Sequence, residues 1–160
     1  MLAGETAAGA FPARSVQTLD AIIRDAETAP PAVHEASPSH HDHAEALCEA
    51  AVTLAERGDA HAIIAVTRGG KTARQLSALR TRVPILAATD SVATARRLAL
   101  CWGVQAVRVE LGEISESSVS QIAAVLSARG LVPAGVPVVL VSIDEDLTRP
   151  DTNFLKIHRL

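Results

Sequence analysis

The chain has 160 residues, of which 48% are apolar and only 2% aromatic, so its core must be built from Val, Leu, Ile and Ala. That is material for a single domain with a short extension, and it suits a parallel sheet covered by helices. A formal charge of −3 gives no reason to expect nucleic acid, no apolar run reaches the ~18 residues of a membrane span, and no signal-peptide pattern is present, so a cytoplasmic protein without nucleic-acid or membrane partners is expected.

In chain order, periodicity predicts an amphipathic helix over residues 11–27, with Val16, Leu19, Ile22 and Ile23 on one face. Residues 28–39 hold Pro30, Pro31 and Pro38 among small residues and read as a linker. A second helix is expected from His40 to Arg57, with Leu47, Ala51 and Leu54 inward and Gly58 capping its end. Strand one is Ala62–Thr67, and the helix after it runs from Lys71 to Leu79. Strand two is Pro84–Thr89, and Asp90 or Ser91 caps the helix Ala93–Trp102. Strand three is Ala106–Val109, the helix Ser117–Arg129 ends at Gly130, strand four is Val136–Ser142, and a final strand is Phe154–His158. This alternation implies an α/β fold, a three-layer doubly wound sheet with right-handed crossovers.

Several residue types invite chemistry. Cys48 and Cys101 fall in apolar helical patterns and are expected to be buried free thiols. His40, His41 and His43 with Asp42 suggest a metal site, but residues 41 and 43 do not share a helix face; a polar helix start, and no metal, is expected. Trp102 is expected to pack rather than to stack on a ligand. No Ser-His-Asp or Cys-His arrangement is legible.

The strongest chemical signal is Ile63-Ile64-Ala65-Val66-Thr67 running into Arg68-Gly69-Gly70-Lys71-Thr72. A strand, two glycines and a helix start form a natural phosphate cradle, in which backbone N–H groups approach an anion and basic side chains add charge. The candidate phosphate-binding residues are Thr67, Arg68, Gly69, Gly70, Lys71 and Thr72, with Arg74 one turn on. The competing readings are a tight strand–helix turn with solvated basic side chains, and a small P-loop nucleotide triphosphatase. The second falls one glycine short of GxxxxGK[ST], because Ala65 stands where the first glycine belongs, inside the strand.

The same loop, with Pro84-Ile85-Leu86-Ala87-Ala88-Thr89 and Thr94-Ala95-Arg96-Arg97-Leu98-Ala99-Leu100-Cys101-Trp102-Gly103-Val104, closely resembles the C-terminal domain of pyruvate kinase. Met1-Leu2-Ala3-Gly4-Glu5-Thr6-Ala7-Ala8-Gly9 is similar to the family's MLSGETAxG segment, with Ala3 in place of serine, and Asp151–Leu160 resembles its closing strand. The resemblance implies that residues 1–27 are a remnant of the catalytic barrel's last loop and helix, that 28–39 are a linker, and that 40–160 are the α/β domain, its last strand antiparallel. It implies a regulatory and oligomerisation domain, a homo-oligomer with a phosphorylated small-molecule effector. The parent family transfers phosphate from phosphoenolpyruvate to ADP and uses magnesium and potassium in the barrel; this chain alone is expected to be catalytically silent and to need no cofactor.

In regulated members of that family the equivalent loop holds a phosphate of an activating sugar phosphate. Here Gly69 stands where many have serine, so a hydroxyl is lost, while Arg68 and Lys71 add charge. The loop that would close over the sugar, residues 142–152, has no glycine and four carboxylates, with Arg149 as the only offset. A monophosphate, or no ligand, is expected rather than a bisphosphate. A stand-alone phosphometabolite-binding module, a fragment and one part of a split protein all remain open at this point.

Overall fold

Every residue of β1 (Ala62–Val66) and β2 (Ile85–Thr89) is buried, as is all of β4 (Pro137–Ser142) beyond its first residue. Strands of this kind need neighbours on both sides and cover on both faces. The computed structural model describes residues 2–28, 43–112, 116–144 and 153–160, and it supplies both. With β3 (Val104–Arg108) and β5 (Phe154–Arg159), the strands form one five-stranded sheet in the order β3-β2-β1-β4-β5. Of its four strand pairings three are parallel, and in the fourth β5 runs antiparallel to β4 in the register Val139↔Ile157. The expected fold class, with its antiparallel closing strand, is what the chain adopts.

Side chains alternate between two cores, as the two-residue period of a strand demands. Ile63, Ala65, Ile85, Ala87, Val139 and Val141 pack against α3 (His43–Arg57), α4 (Lys71–Ala78) and α5 (Val92–Leu98). Ala62, Ile64, Val66, Leu86, Ala88, Val138 and Leu140 pack against α6 (Glu116–Ala128), whose Val119, Ile122 and Leu126 form the inward stripe. The helices α3 to α5 meet the sheet largely through alanines, so they approach it closely, whereas α6 meets it through larger side chains.

Element ends depart from expectation in three informative places, and one open choice of cap is resolved. Helix α5 stops at Leu98, because the amides of Leu100 and Cys101 turn back to the carbonyls of Arg97 and Leu98, and Leu100 ends up 92% exposed. The following strand accordingly begins at Val104, two residues before its expected start. Ser91, not Asp90, caps α5, its Oγ accepting the Thr94 amide at 3.2 Å. Past α3 it is Asp59 (φ 49°) that takes the left-handed conformation; Gly58 is needed instead for space, since a Cβ there would stand 2.6 Å from the Leu54 carbonyl oxygen. Cys48 is fully buried, whereas Cys101 is only partly so.

Residues 1–39 form a separate unit. Its described part comprises a short helix α1 (Gly4–Ala7), absent from the sequence reading, and α2 (Pro12–Thr28). The Ala3 amide donates to Glu5 Oε2 at 2.9 Å, and this and other backbone hydrogen bonding hold the Glu5 carboxyl below its usual range. On α2 no residue is buried within the unit; Val16, Ile22 and Ile23 are exposed and Leu19 is half-buried. The linker expected at 28–39 lies almost wholly outside the described residues, and so do His40, His41 and Asp42.

Candidate functional site

Helix α4 leads from β1 toward β2, while β4 lies on the other side of β1. The sheet order reverses at that point, and in open α/β sheets the crevice beyond the carboxyl ends of such strands is where ligands bind. The Thr67–Thr72 loop occupies this place. Of the seven buried polar residues among those described, five (Thr67, Thr72, Thr89, Thr94 and Ser142) gather at the same edge, at the ends of β1, β2 and β4 and the starts of α4 and α5. Buried hydroxyls persist where they find partners, and no described buried side-chain polar atom lacks one.

The loop is shaped by Gly70. It stands at the start of α4 in the left-handed conformation (φ 84°), and a Cβ on it would lie 3.1 Å from Thr94 Cγ2 and 3.3 Å from Leu98 Cδ2. Both the backbone angle and the close approach of α5 therefore call for glycine. Gly69, by contrast, faces open space and has room for a side chain. The Gly70 amide donates to Thr67 Oγ1 at 2.9 Å, and the Arg74 amide closes the first turn onto the Gly70 carbonyl at 3.1 Å. Helix geometry leaves the first-turn amides of Thr72 and Ala73 without an acceptor inside the helix. Amides of this kind, with the positive end of the helix dipole, are the features that favour an anion at a helix start.

Charge around the loop is unevenly placed. Lys71 is exposed at the first helical position, and Arg74 is exposed one turn on. Arg68 is committed elsewhere: its Nη2 donates to the Gly112 carbonyl at 2.6 Å, and its Nε sits 4.0 Å from Asp90 Oδ2. Its arm therefore reaches over the carboxyl ends of β2 and β3, away from β4. Its own carbonyl accepts from Thr94 Oγ1 at 2.9 Å and, more weakly, Thr89 Oγ1 at 3.5 Å. Thr89, Asp90, Thr94 and Gly112 thus support the loop, and sequence reasoning missed them in this role. The available signal was that Thr89-Asp90-Ser91 ends a strand and opens a helix just as Thr67–Lys71 does.

On the far side of the crevice, the Asp144 amide donates to Asn153 Oδ1 at 2.7 Å, joining the chain just after β4 to the start of β5. Arg149 and the rest of 145–152 lie outside the described residues. Ala65, where a P-loop would need its first glycine, is fully buried inside β1 between Ala87 and Val141. Trp102 is 40% exposed and lies under the Arg80 guanidinium, 4.8 Å from the ring centroid. His43 is exposed at the start of α3, and no metal-binding group of three residues occurs among the described residues. No helix of the described residues is long and apolar enough to cross a membrane.

Comparison with known proteins bears on this architecture. Residues 45–158 match the family model described as the pyruvate kinase alpha/beta domain. A pyruvate kinase of Mycobacterium intracellulare is 31% identical over 164 residues, covering 100% of this chain, and one of Agrobacterium vitis is 33% identical over 168 residues, covering 98%. A crystal structure of a pyruvate kinase from Cryptosporidium parvum superposes with a TM-score of 0.75 at 31% identity, over 99% of this chain and 32% of that one. The chain spans about a third, 34%, of the length of those curated relatives.

Proposed function

The chain belongs to the pyruvate kinase family, whose C-terminal α/β domain it carries, and from that premise we propose that it is a regulatory and assembly domain, catalytically silent alone, that binds a phosphorylated effector at Thr67–Thr72. The observation that carries this reading is Gly70. Its left-handed backbone and its packing against α5 fix the start of α4 just beyond the carboxyl end of β1, where first-turn amides favour an anion. The anion is bound by the amides of Thr72 and Ala73, by the Lys71 ammonium and by the Thr67 and Thr72 hydroxyls. Arg68, tied to Gly112 and Asp90, acts as a brace for the loop.

Each charge-assisted hydrogen bond to such an anion contributes roughly 1.5–3 kcal/mol where it is shielded from water. Two or three of them place a sugar monophosphate or nucleoside monophosphate in the micromolar to millimolar range. Lys71→Ala combined with Thr72→Ala is expected to weaken that binding at least ~tenfold, read by calorimetry. Absence of binding by any phosphorylated metabolite at millimolar levels would reduce the loop to a turn, and magnesium-dependent ATP binding would revive the P-loop reading.

Two further outcomes belong to this reading. A coupled assay with phosphoenolpyruvate, ADP, magnesium and potassium should match its blank with this chain alone, since the chain spans a third of its relatives; turnover that tracks the chain's concentration overturns the silence. Assembly is supported by β5, the last strand in the sheet order, whose Ile157 is 53% exposed. Sedimentation at high micromolar concentration is expected to show a dimer that Ile157→Asp dissociates, and a clean monomer removes the assembly role.

A further inference from the structure

A second concave site lies away from the Thr67–Thr72 loop, between the carboxyl end of β3 and the second half of α6. The groove has a volume of about 520 Å³, within the range of small-molecule sites. Its floor is apolar and fixed by the core: Val109 is 6% exposed, Ile122 is 3% exposed, and Val125 is packed against the same cluster. Arg108 from the end of β3 and Arg129 from the end of α6 flank this floor.

On α6 and the residue just after it, the lining positions 121, 125 and 129 recur at every fourth residue, so they form one stripe facing the groove. The Arg129 amide donates to the Val125 carbonyl at 3.1 Å, which keeps Arg129 in register with that stripe. Both arginines are exposed, and neither forms a salt bridge with a described residue, unlike Arg24, which pairs with Asp20, and Arg68, which pairs with Asp90. Glu110, only two residues from Arg108, lines the groove without pairing with it. Two arginines, neither in a salt bridge with a described residue, line one groove over an apolar floor, with a single carboxylate and the Gln121 amide among the other lining groups. That set suits one anionic head group attached to an apolar body, and it disfavours a polyanion, which Glu110 would repel.

We propose that this groove is a second ligand site, separate from the effector loop, and that it takes a small anionic metabolite, a carboxylate or a monophosphate, carrying an apolar body. The head group sits between Arg108 and Arg129, the body lies on Val109, Ile122 and Val125, and Glu110 and Gln121 accept from any hydroxyl or amine the body carries.

The test uses three probes that share one body: phenyl phosphate, benzoate and benzyl alcohol, titrated into the full chain with amide NMR as the readout. Phenyl phosphate, benzoate or both are expected to shift the amides of residues 108–110 and 121–129 saturably at millimolar concentration, and which of the two binds more tightly identifies the head group. Arg108→Ala with Arg129→Ala should weaken that binding at least ~tenfold, with the remaining resonances in place to show an intact fold. The Lys71→Ala, Thr72→Ala variant should keep the shifts, so this site and the effector loop stand or fall separately. Binding unchanged in the double arginine variant, benzyl alcohol binding as tightly as the anions, inorganic phosphate binding as tightly as phenyl phosphate, or no saturable shift from either anion would each overturn the proposal.

Discussion

Gly70→Val is expected to lower the unfolding free energy by about 3–5 kcal/mol, the sum of a left-handed backbone imposed on a β-branched residue and of overpacking in a tight contact. The backbone contribution follows from φ 84° at this position, which valine adopts only under strain. The packing contribution follows from Thr94 Cγ2 at 3.1 Å and Leu98 Cδ2 at 3.3 Å from a Cβ, both on α5. Leu98 is 2% exposed and Thr94 is tied to the Arg68 carbonyl, so neither has space to give way. Gly69→Ser, one residue earlier, meets nothing within 4 Å and should change stability by less than ~1 kcal/mol. Urea unfolding followed by circular dichroism separates the two. Similar midpoints for both variants would mean that the loop does not depend on Gly70 as described.

The second large effect is expected at Leu126→Ala, about 3–4 kcal/mol of destabilisation. Three helices cover one face of the sheet, whereas α6 carries the helical side of the other core among the described residues. Leu126 is 0% exposed in that core, so truncation leaves a cavity with few neighbours free to fill it. With a domain's total stability at ~5–15 kcal/mol, this single change removes a large share. Leu100→Ala deletes the same atoms from a side chain that is 92% exposed and should fall within ~0.5 kcal/mol of the unaltered chain. A loss at Leu126 no larger than at Leu100 would contradict the assignment of α6 to the core.

The strands were legible because their apolar, mostly unalternating runs have few other uses, and each lies within two residues of its expected place. Helix α5 was overextended because Leu100, Cys101 and Trp102 continue its apolar character; periodicity carries no information about a leucine that faces solvent. The four-residue α1 was too short to have a period. At the site, the loop itself was visible from its composition, but the division of labour inside it was not. Gly69 and Gly70 are equivalent in sequence, and only the approach of α5 distinguishes them. Arg68 reads locally as an anion ligand, yet its partner is the carbonyl of Gly112, 44 residues away. Arg108 and Arg129 likewise line one groove only because the fold brings residues 21 apart in the chain to it.

Trp102 gives the molecule an optical property of its own. It is the chain's single tryptophan, there is no tyrosine, and its emission is set by water on its exposed side and by the Arg80 cation stacked on its ring. Its carbonyl accepts a 2.8 Å hydrogen bond from Ser77 Oγ, near the end of α4, the helix whose first residue is Lys71. Helix α4, eight residues or ~12 Å long, therefore lies between the Thr67–Thr72 loop and the fluorophore. On the proposed reading, an anion docking at the start of α4 is expected to be felt at Ser77 near the other end of the helix, and so to be read as a change of Trp102 fluorescence with no label attached.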